Sequence, residues 1–114
     1  MDLNQNFYKI KFAGEANDEL DGIYNYICNQ LKENKIAEKL RILIINKILD
    51  LEIMPYRYFK LGKDIQLKNV YHRMVIKNYV VLYTIDEFDK KVFISHIYYG
   101  RRNYLGKFLY RWNF

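Results

Sequence analysis

Residues 70–99 read VYHRMVIKNYVVLYTIDEFDKKVFISHIYY. Three strand-like runs lie in this stretch. Val70 to Lys77 turns at Asn78, Tyr79 to Ile85 turns through Asp86, Glu87, Phe88 and Asp89, and Lys90 to Tyr99 completes the set. β-Branched and aromatic residues dominate each run, as half-buried pleated surfaces require. Short polar connections between consecutive strands force them to run antiparallel. The stretch therefore predicts a three-stranded antiparallel meander.

Working outward, residues 7–13 also alternate: Tyr8, Ile10 and Phe12 share one face, and Lys9 and Lys11 the other, which predicts one more half-buried strand. The period then changes. Leu20, Ile23, Tyr24, Ile27 and Leu31 recur at helical spacing across residues 15–33, with Glu15, Asp18, Glu19 and Asp21 crowded at the start, where the helix dipole favours negative charge. Asn34 can cap a second helix, whose apolar positions are Ile36, Ala37, Leu40, Leu43, Ile44, Ile48 and Leu51, and Pro55 is expected to end it. Ile42, Ile45 and Leu49 widen that stripe, so the second helix has surface for more than one neighbour. The short break at 32–35 predicts an antiparallel helical hairpin. Residues 55–69 read as a loop or a short strand with turns. The basic, aromatic tail from Gly100 to Phe114 has a helical pattern near Leu105 to Tyr110. The expected fold is α+β in the order β-α-α-β-β-β, a small antiparallel sheet with the hairpin on one face, in a single domain over residues 1–114.

Composition narrows the function classes. A chain of 114 residues, 51% hydrophobic and 28% charged, supports one packed core and argues against disorder. One cysteine excludes an internal disulfide framework and a cysteine-based zinc cluster, and two separate histidines make no metal motif. The longest uncharged apolar runs, such as Ile42 to Ile45, are far too short to cross a bilayer, and Met1 to Asn6 has no secretion-signal pattern. A cytoplasmic protein with no bound cofactor, no metal and no membrane partner is expected. Residues 1–56 carry seven basic and nine acidic side chains, whereas residues 57–114 carry twelve basic and four acidic. A surface with that excess suits a polyanion or an acidic protein. The high aromatic content, 18%, fits interfaces and base stacking, and equally fits an AT-rich coding bias.

The order of elements is accompanied by a set of residues. Tyr8, Ile10 and Phe12 precede Ala16, Glu19, Leu20, Ile23, Tyr26 and Ile27; Ala37, Leu40, Ile44, Ile48, Leu51 and Pro55 follow. Then come Arg73, the run Tyr79-Val80-Val81-Leu82-Tyr83 with Ile85 and Asp86, and Val92, Ile94 and Ile97 leading into Tyr98-Tyr99-Gly100-Arg101-Arg102-Asn103. From Phe7 to about Tyr104 the chain resembles the RelE/ParE superfamily of toxins from bacterial type II toxin–antitoxin modules. That resemblance implies growth arrest, of the kind that serves plasmid stabilisation, held in check by a cognate antitoxin in a hetero-oligomer. It also implies one of two actions. RelE-like members are mRNA interferases that cut messenger RNA on the ribosome; ParE-like members poison DNA gyrase. RelE-like cleavage needs the 2′-OH activated, the phosphate charge stabilised and the leaving oxygen protonated. The arginine that the RelE-like pattern expects in the strand after Arg73 is Val80 here, and the late His-Tyr pair, expected near Tyr99 and Gly100, is absent. These departures favour the gyrase-poisoning action, with RNA cleavage as the alternative and a non-toxic basic binding module as a third.

The candidate residues follow from both lines. Arg101 and Arg102 come after the last strand beside Gly100, where they can bind phosphate or an acidic surface; otherwise they form a solvated turn or pair with Asp86 or Glu87. Arg73 shares a strand face with Tyr71 and Val75 and either lines a groove or pairs with a carboxylate. Tyr99 and Tyr104 are contact candidates, Tyr98 a core residue. Lys60 and Lys63, near Arg57, offer a polyanion surface or a solvated loop. His96 reads as a hydrogen-bonded histidine in step with Val92, Ile94 and Tyr98, or as a general base; His72 is similar. A nuclease would use Arg102, Arg101, Arg73 and Tyr104. A binding toxin would meet its target through Arg101, Arg102, Tyr99, Tyr104, Lys60, Lys63 and Arg73.

Overall fold

Alternation at the start of the chain turns Ile10 and Phe12 of the first strand, β1 (Lys9–Phe12), inward beside buried Tyr8, and leaves Lys9 and Lys11 exposed. The computed structural model describes residues 7–58, 60–64 and 69–100. Helix α1 (Gly14–Asn25) follows, with Glu15 in its first turn and Ala16 and Leu20 buried. It runs into a π-helical turn, Tyr26–Gln30, in which the Leu31 N–H reaches back five residues to the Tyr26 carbonyl at 3.3 Å. A π turn takes up one extra residue and rotates everything after it. Leu31, expected in the buried stripe, is for that reason 52% exposed. Lys32 then adopts a left-handed conformation (φ 55°), and the Glu33 N–H closes the helix end on the Ile27 carbonyl at 3.0 Å.

Helix α2 (Asn34–Leu49) returns along α1. Asn34, expected as its cap, is its first helical residue; Glu33 stands at the cap position and makes no side-chain capping bond. Pro55 does not end α2. The helix tightens first into a 3-10 turn, Asp50–Glu52, and Pro55 opens a second one, Pro55–Arg57, at a position where its missing N–H is not needed. Ala37, Ile44, Ile48 and Leu51 are the buried side of this segment. Each fully buried Ile or Leu contributes about 1.5–3 kcal/mol, and Ile44, Ile48 and Leu51 meet Met74, Ile76, Val81 and Tyr83 in one core. That packing holds the hairpin to the sheet.

The remaining strands are β2 (Lys60–Asp64), β3 (Asn69–Ile76), β4 (Tyr79–Asp86) and β5 (Lys91–Tyr99), in the spatial order β1-β5-β4-β3-β2. Strands β3, β4 and β5 form the predicted antiparallel meander. Within the segment read as a loop or short strand, residues 60–64 pair antiparallel with β3 and form one edge. At the other edge β1 lies parallel to β5, with Ile10 beside Val92 and Phe12 beside Ile94, so the sheet is mixed rather than wholly antiparallel. A parallel pair needs a long connection, which the hairpin and the meander together supply.

One irregularity resets the faces of β5. Tyr83 pairs with Ile94 and Leu82 with His96, which leaves Ser95 as an extra residue. An extra residue inverts the alternation beyond it. Ile97, not His96, therefore continues the inward row of Val92 and Ile94, and His96 falls in step with Tyr98 alone. On the sheet face turned from the helices, Tyr71, Val80 and Leu82 form a second small core with Val75 and Tyr98 against it. Among the described residues no helix is long and apolar enough to cross a membrane. The helical pattern near Leu105 to Tyr110 lies outside the described residues.

Candidate functional site

Where α1 ends in its π turn and α2 begins, the hairpin stands away from one end of the sheet. The result is a groove of about 1240 Å³. Ile23, Tyr26, Ile27 and Leu31 line it from the first arm, Ile36, Leu40 and Leu43 from the second, and Tyr79, Ile97 and Tyr99 from the sheet. Lys39, Lys77, Glu19 and Glu33 place charge around this apolar lining. Tyr26, Leu31, Ile36 and Tyr99 are each more than half exposed, so the groove presents large apolar side chains to solvent. Contiguous exposed apolar surface with a polar rim is the signature of a surface that engages another molecule.

The groove's sheet side is held in two ways. The Gly100 N–H donates to the Asn78 carbonyl at 2.6 Å, with Gly100 at φ 82°, a conformation that suits glycine. This ties the β3–β4 turn to the end of β5. Tyr79 and Tyr99 stack obliquely, ring centres 5.2 Å apart, and burial followed by the nearby Tyr99 raises the Tyr79 phenol above its ordinary pKa. Further along β5, beyond the last residue of β1, the Glu19 carboxylate accepts the Ile97 N–H at 3.0 Å and lies 3.3 Å from His96 Nδ1. Glu19 thus takes the place of the missing neighbour strand. His96 Nε2 is 3.6 Å from the Glu15 carboxylate, and its ring stacks on Tyr98 at 5.1 Å. His96 is a hydrogen-bonded histidine between helix and sheet. His72 is buried, with Nδ1 3.3 Å from the Tyr58 carbonyl and its ring stacked on Tyr83 at 5.2 Å.

The register separates the expected site residues. Tyr99 ends β5 on the groove rim, opposite Tyr79. Arg73 pairs with Leu82 in mid-sheet, beside Tyr71 and Val75 on the face turned from the helices. Lys60 and Lys63 lie on the β2 edge, paired with His72 and Val70. Two strands intervene between β2 and β5, so the backbones are roughly 14 Å apart at the usual strand spacing. Tyr99, Arg73 and the Lys60–Lys63 strand therefore do not form one cluster. Arg101, Arg102 and Tyr104 lie outside the described residues.

A constellation at the opposite end of the sheet has no counterpart in the motif reading. In the β4–β5 turn, the Glu87 carboxylate accepts hydrogen bonds from Tyr8 Oη (2.7 Å) and Tyr56 Oη (2.6 Å) and pairs with Lys90 Nζ. Lys90, then Tyr56, then Tyr8 hold the Glu87 carboxyl down at about 2. The bond to Glu87, and secondarily burial, pushes the Tyr56 phenol up to about 12. Lys90 also lies 5.1 Å from the Tyr8 ring centre. Behind the carboxylate, Tyr56 meets His72 edge-on, and the Tyr83 hydroxyl donates to the Pro55 carbonyl at 2.6 Å. Four chain segments are pinned together here, and none of them carries a local signal of the others. Glu87, suggested above as a partner for Arg101 or Arg102, is engaged in this clamp. Among the described residues no group of three His, Cys, Asp or Glu side chains converges as a metal site would.

Residues 10–104 match the family described as the ParE toxin of the type II toxin–antitoxin system parDE. No curated protein matches the sequence. Solved structures share the fold, among them two toxin–antitoxin systems. One is a chromosomal ParDE toxin–antitoxin system from P. aeruginosa, with TM-score 0.66, 15% identity, and 84% of this chain and 99% of that one covered. The other is the toxin–antitoxin complex RelBE2 from Mycobacterium tuberculosis, with TM-score 0.59, 18% identity, and 82% and 91% covered.

Proposed function

The chain belongs to the family of ParE toxins of type II toxin–antitoxin systems, and we propose that it arrests growth by binding and poisoning DNA gyrase, in the cytoplasm, until a cognate antitoxin occupies the groove. The observation that carries the choice of action is Val80. It stands where the RelE-like pattern expects an arginine, and it is fully buried in the far-face core with Leu82. An apolar side chain there can neither neutralise a phosphate nor move a proton. Both histidines support the same reading, since His96 is tied to Glu19 and His72 is buried under Tyr83.

Target contact is assigned to the end of β5 and the residues after it, namely Tyr99, Arg101, Arg102 and Tyr104. Lys60, Lys63 and Arg73 contribute through the basic second half of the chain rather than through one shared pocket. Two solved structures of the same fold are of toxin–antitoxin systems, which supports a hetero-oligomer with an antitoxin. The groove suits an amphipathic segment that buries apolar side chains against Ile36, Leu40 and Tyr99 and meets Lys39 and Lys77 with acidic ones.

The purified full-length chain is tested on gyrase supercoiling, and transcript ends are mapped after induction in cells. Loss of supercoiling or accumulation of cleaved DNA, with intact transcripts, is the expected result. Codon-linked transcript cuts with normal gyrase activity would contradict it and restore RNA cleavage. Arg102→Ala is expected to lose potency while retaining the native circular dichroism spectrum; full potency in that variant would remove Arg102 from the contact surface.

A further inference from the structure

The groove has two helical walls, and the chain itself leads towards one of them. The Ala13 N–H donates to the Ile94 carbonyl at 2.9 Å, and the Ile97 N–H donates to Glu19 at 3.0 Å. Helix α1 therefore advances along β5 in the same sense as the strand. The far part of this arm, Ile23, Tyr26, Ile27 and Leu31, lies ahead of the chain as it leaves β5. Tyr98 and Tyr99 line the groove, and the next residue, Gly100, is bonded to the groove-lining Asn78. On the wall ahead, Tyr26 and Leu31 are 57% and 52% exposed.

Residues 101–114 continue from this point as RRNYLGKFLYRWNF. At 100° per residue, Leu105, Phe108, Leu109 and Trp112 fall within an arc of about 100°, with Lys107 and Arg111 on the opposite side. At 1.5 Å per residue, Leu105 to Trp112 measures about 10 Å and the wall from Ile23 to Leu31 about 12 Å. The four residues before the stripe, Arg101 to Tyr104, reach up to about 13 Å when extended, comparable to the wall's own length. So short a tether holds the stripe at an effective concentration of about millimolar, which keeps even a weakly bound segment seated. Charge has the matching sense. The segment holds four cations and no anion. Of the charged lining residues, Glu19 and Glu33 belong to the first arm and its end, whereas Lys39 and Lys77 belong to α2 and the β3–β4 turn. Glu19 is engaged by β5, so Glu33 carries that match.

We propose that the first-arm wall of the groove is the docking site of the chain's own C-terminal segment, with Leu105, Phe108, Leu109 and Trp112 laid as a helix on Ile23, Tyr26, Ile27 and Leu31. The second wall, with Ile36, Leu40 and Lys39, stays open. Only the use of that second wall by an antitoxin rests on the proposed function; the docking of the segment does not.

Trp112 is the one tryptophan of the chain, so its fluorescence reports the segment alone. In the full-length chain its emission is expected at shorter wavelength, and its quenching by acrylamide to be weaker, than in the same chain unfolded in urea. Both should be the same at about 1 and 100 µM, a range that spans micromolar association. Tyr26→Asp and Leu31→Asp change exposed positions of the wall. Each is expected to keep the circular dichroism spectrum while shifting the emission to longer wavelength and raising quenching towards the unfolded value. Ile42→Asp, 51% exposed on α2 and outside the groove lining, should change neither. A Trp112 as accessible in the folded chain as in the unfolded one overturns the proposal. So does protection that survives both wall variants, or protection that appears only at the higher concentration, which would assign the wall to the segment of a second copy. No gyrase or antitoxin enters the measurement, so its failure leaves the growth-arrest reading standing, and failure of that reading leaves the docking intact.

Discussion

Tyr83 shows what one side chain does for this molecule. Its ring is fully buried in the core, and its hydroxyl satisfies the Pro55 carbonyl at 2.6 Å. Tyr83→Phe keeps the packing and leaves that carbonyl without its donor. We expect a loss of about 1–3 kcal/mol, each kcal/mol lowering Tm by about 4–8 °C for a domain of this size. Glu87 gives a pH signature. Its carboxyl is held below the ordinary value of 4.5, at about 2, so the folded state gains stability from it above the ordinary value and loses that gain as pH falls through the depressed one. Glu87→Gln should therefore lower Tm at neutral pH. The gap from the parent should narrow steadily below pH 4.5 and close near pH 2. A gap that is constant with pH would show that the clamp does not titrate as its geometry requires.

At the scale of elements, Lys32 ends the first arm of the hairpin with a positive φ of 55°, where glycine is the usual residue. Lys32→Gly should raise stability by about 0.5–1 kcal/mol in chemical denaturation; a decrease would mean that the lysine side chain itself holds the turn. The meander, the alternation at Tyr8, Ile10 and Phe12, and the two helical stripes were legible in the sequence, because each keeps one period over most of its length. Single inserted residues hid detail within them. The π turn at Tyr26–Gln30 sends Leu31 outward, and Ser95 hands the inward row of β5 from His96 to Ile97. Neither insertion leaves a mark in residue type. Parallel pairing of β1 with β5 was likewise invisible, because it depends on where the chain returns. Of the candidate site, Tyr99 was legible as an exposed strand-end aromatic. The Glu87 clamp was not, since Tyr8, Tyr56, Glu87 and Lys90 meet only in three dimensions.

For the whole molecule, the two ends of the sheet do different work. One end is closed by the Glu87 clamp. The other opens into the apolar groove, the proposed seat of an antitoxin segment, whereas target contact is proposed for Tyr99 and the residues that follow it in sequence. Ile36, 55% exposed on the groove wall, separates these roles. Ile36→Asp should fold, should still arrest growth, and should weaken antitoxin binding about tenfold or more, as loss of an interface anchor does. Isothermal titration against the antitoxin would measure this, and unchanged affinity would move the antitoxin off the groove. The most direct test of the account is the viable count after induced expression of the chain, alone and together with its proposed cognate antitoxin. A collapse in viability alone and its recovery with the antitoxin is the predicted result; undiminished viability under strong induction of the folded protein would contradict it.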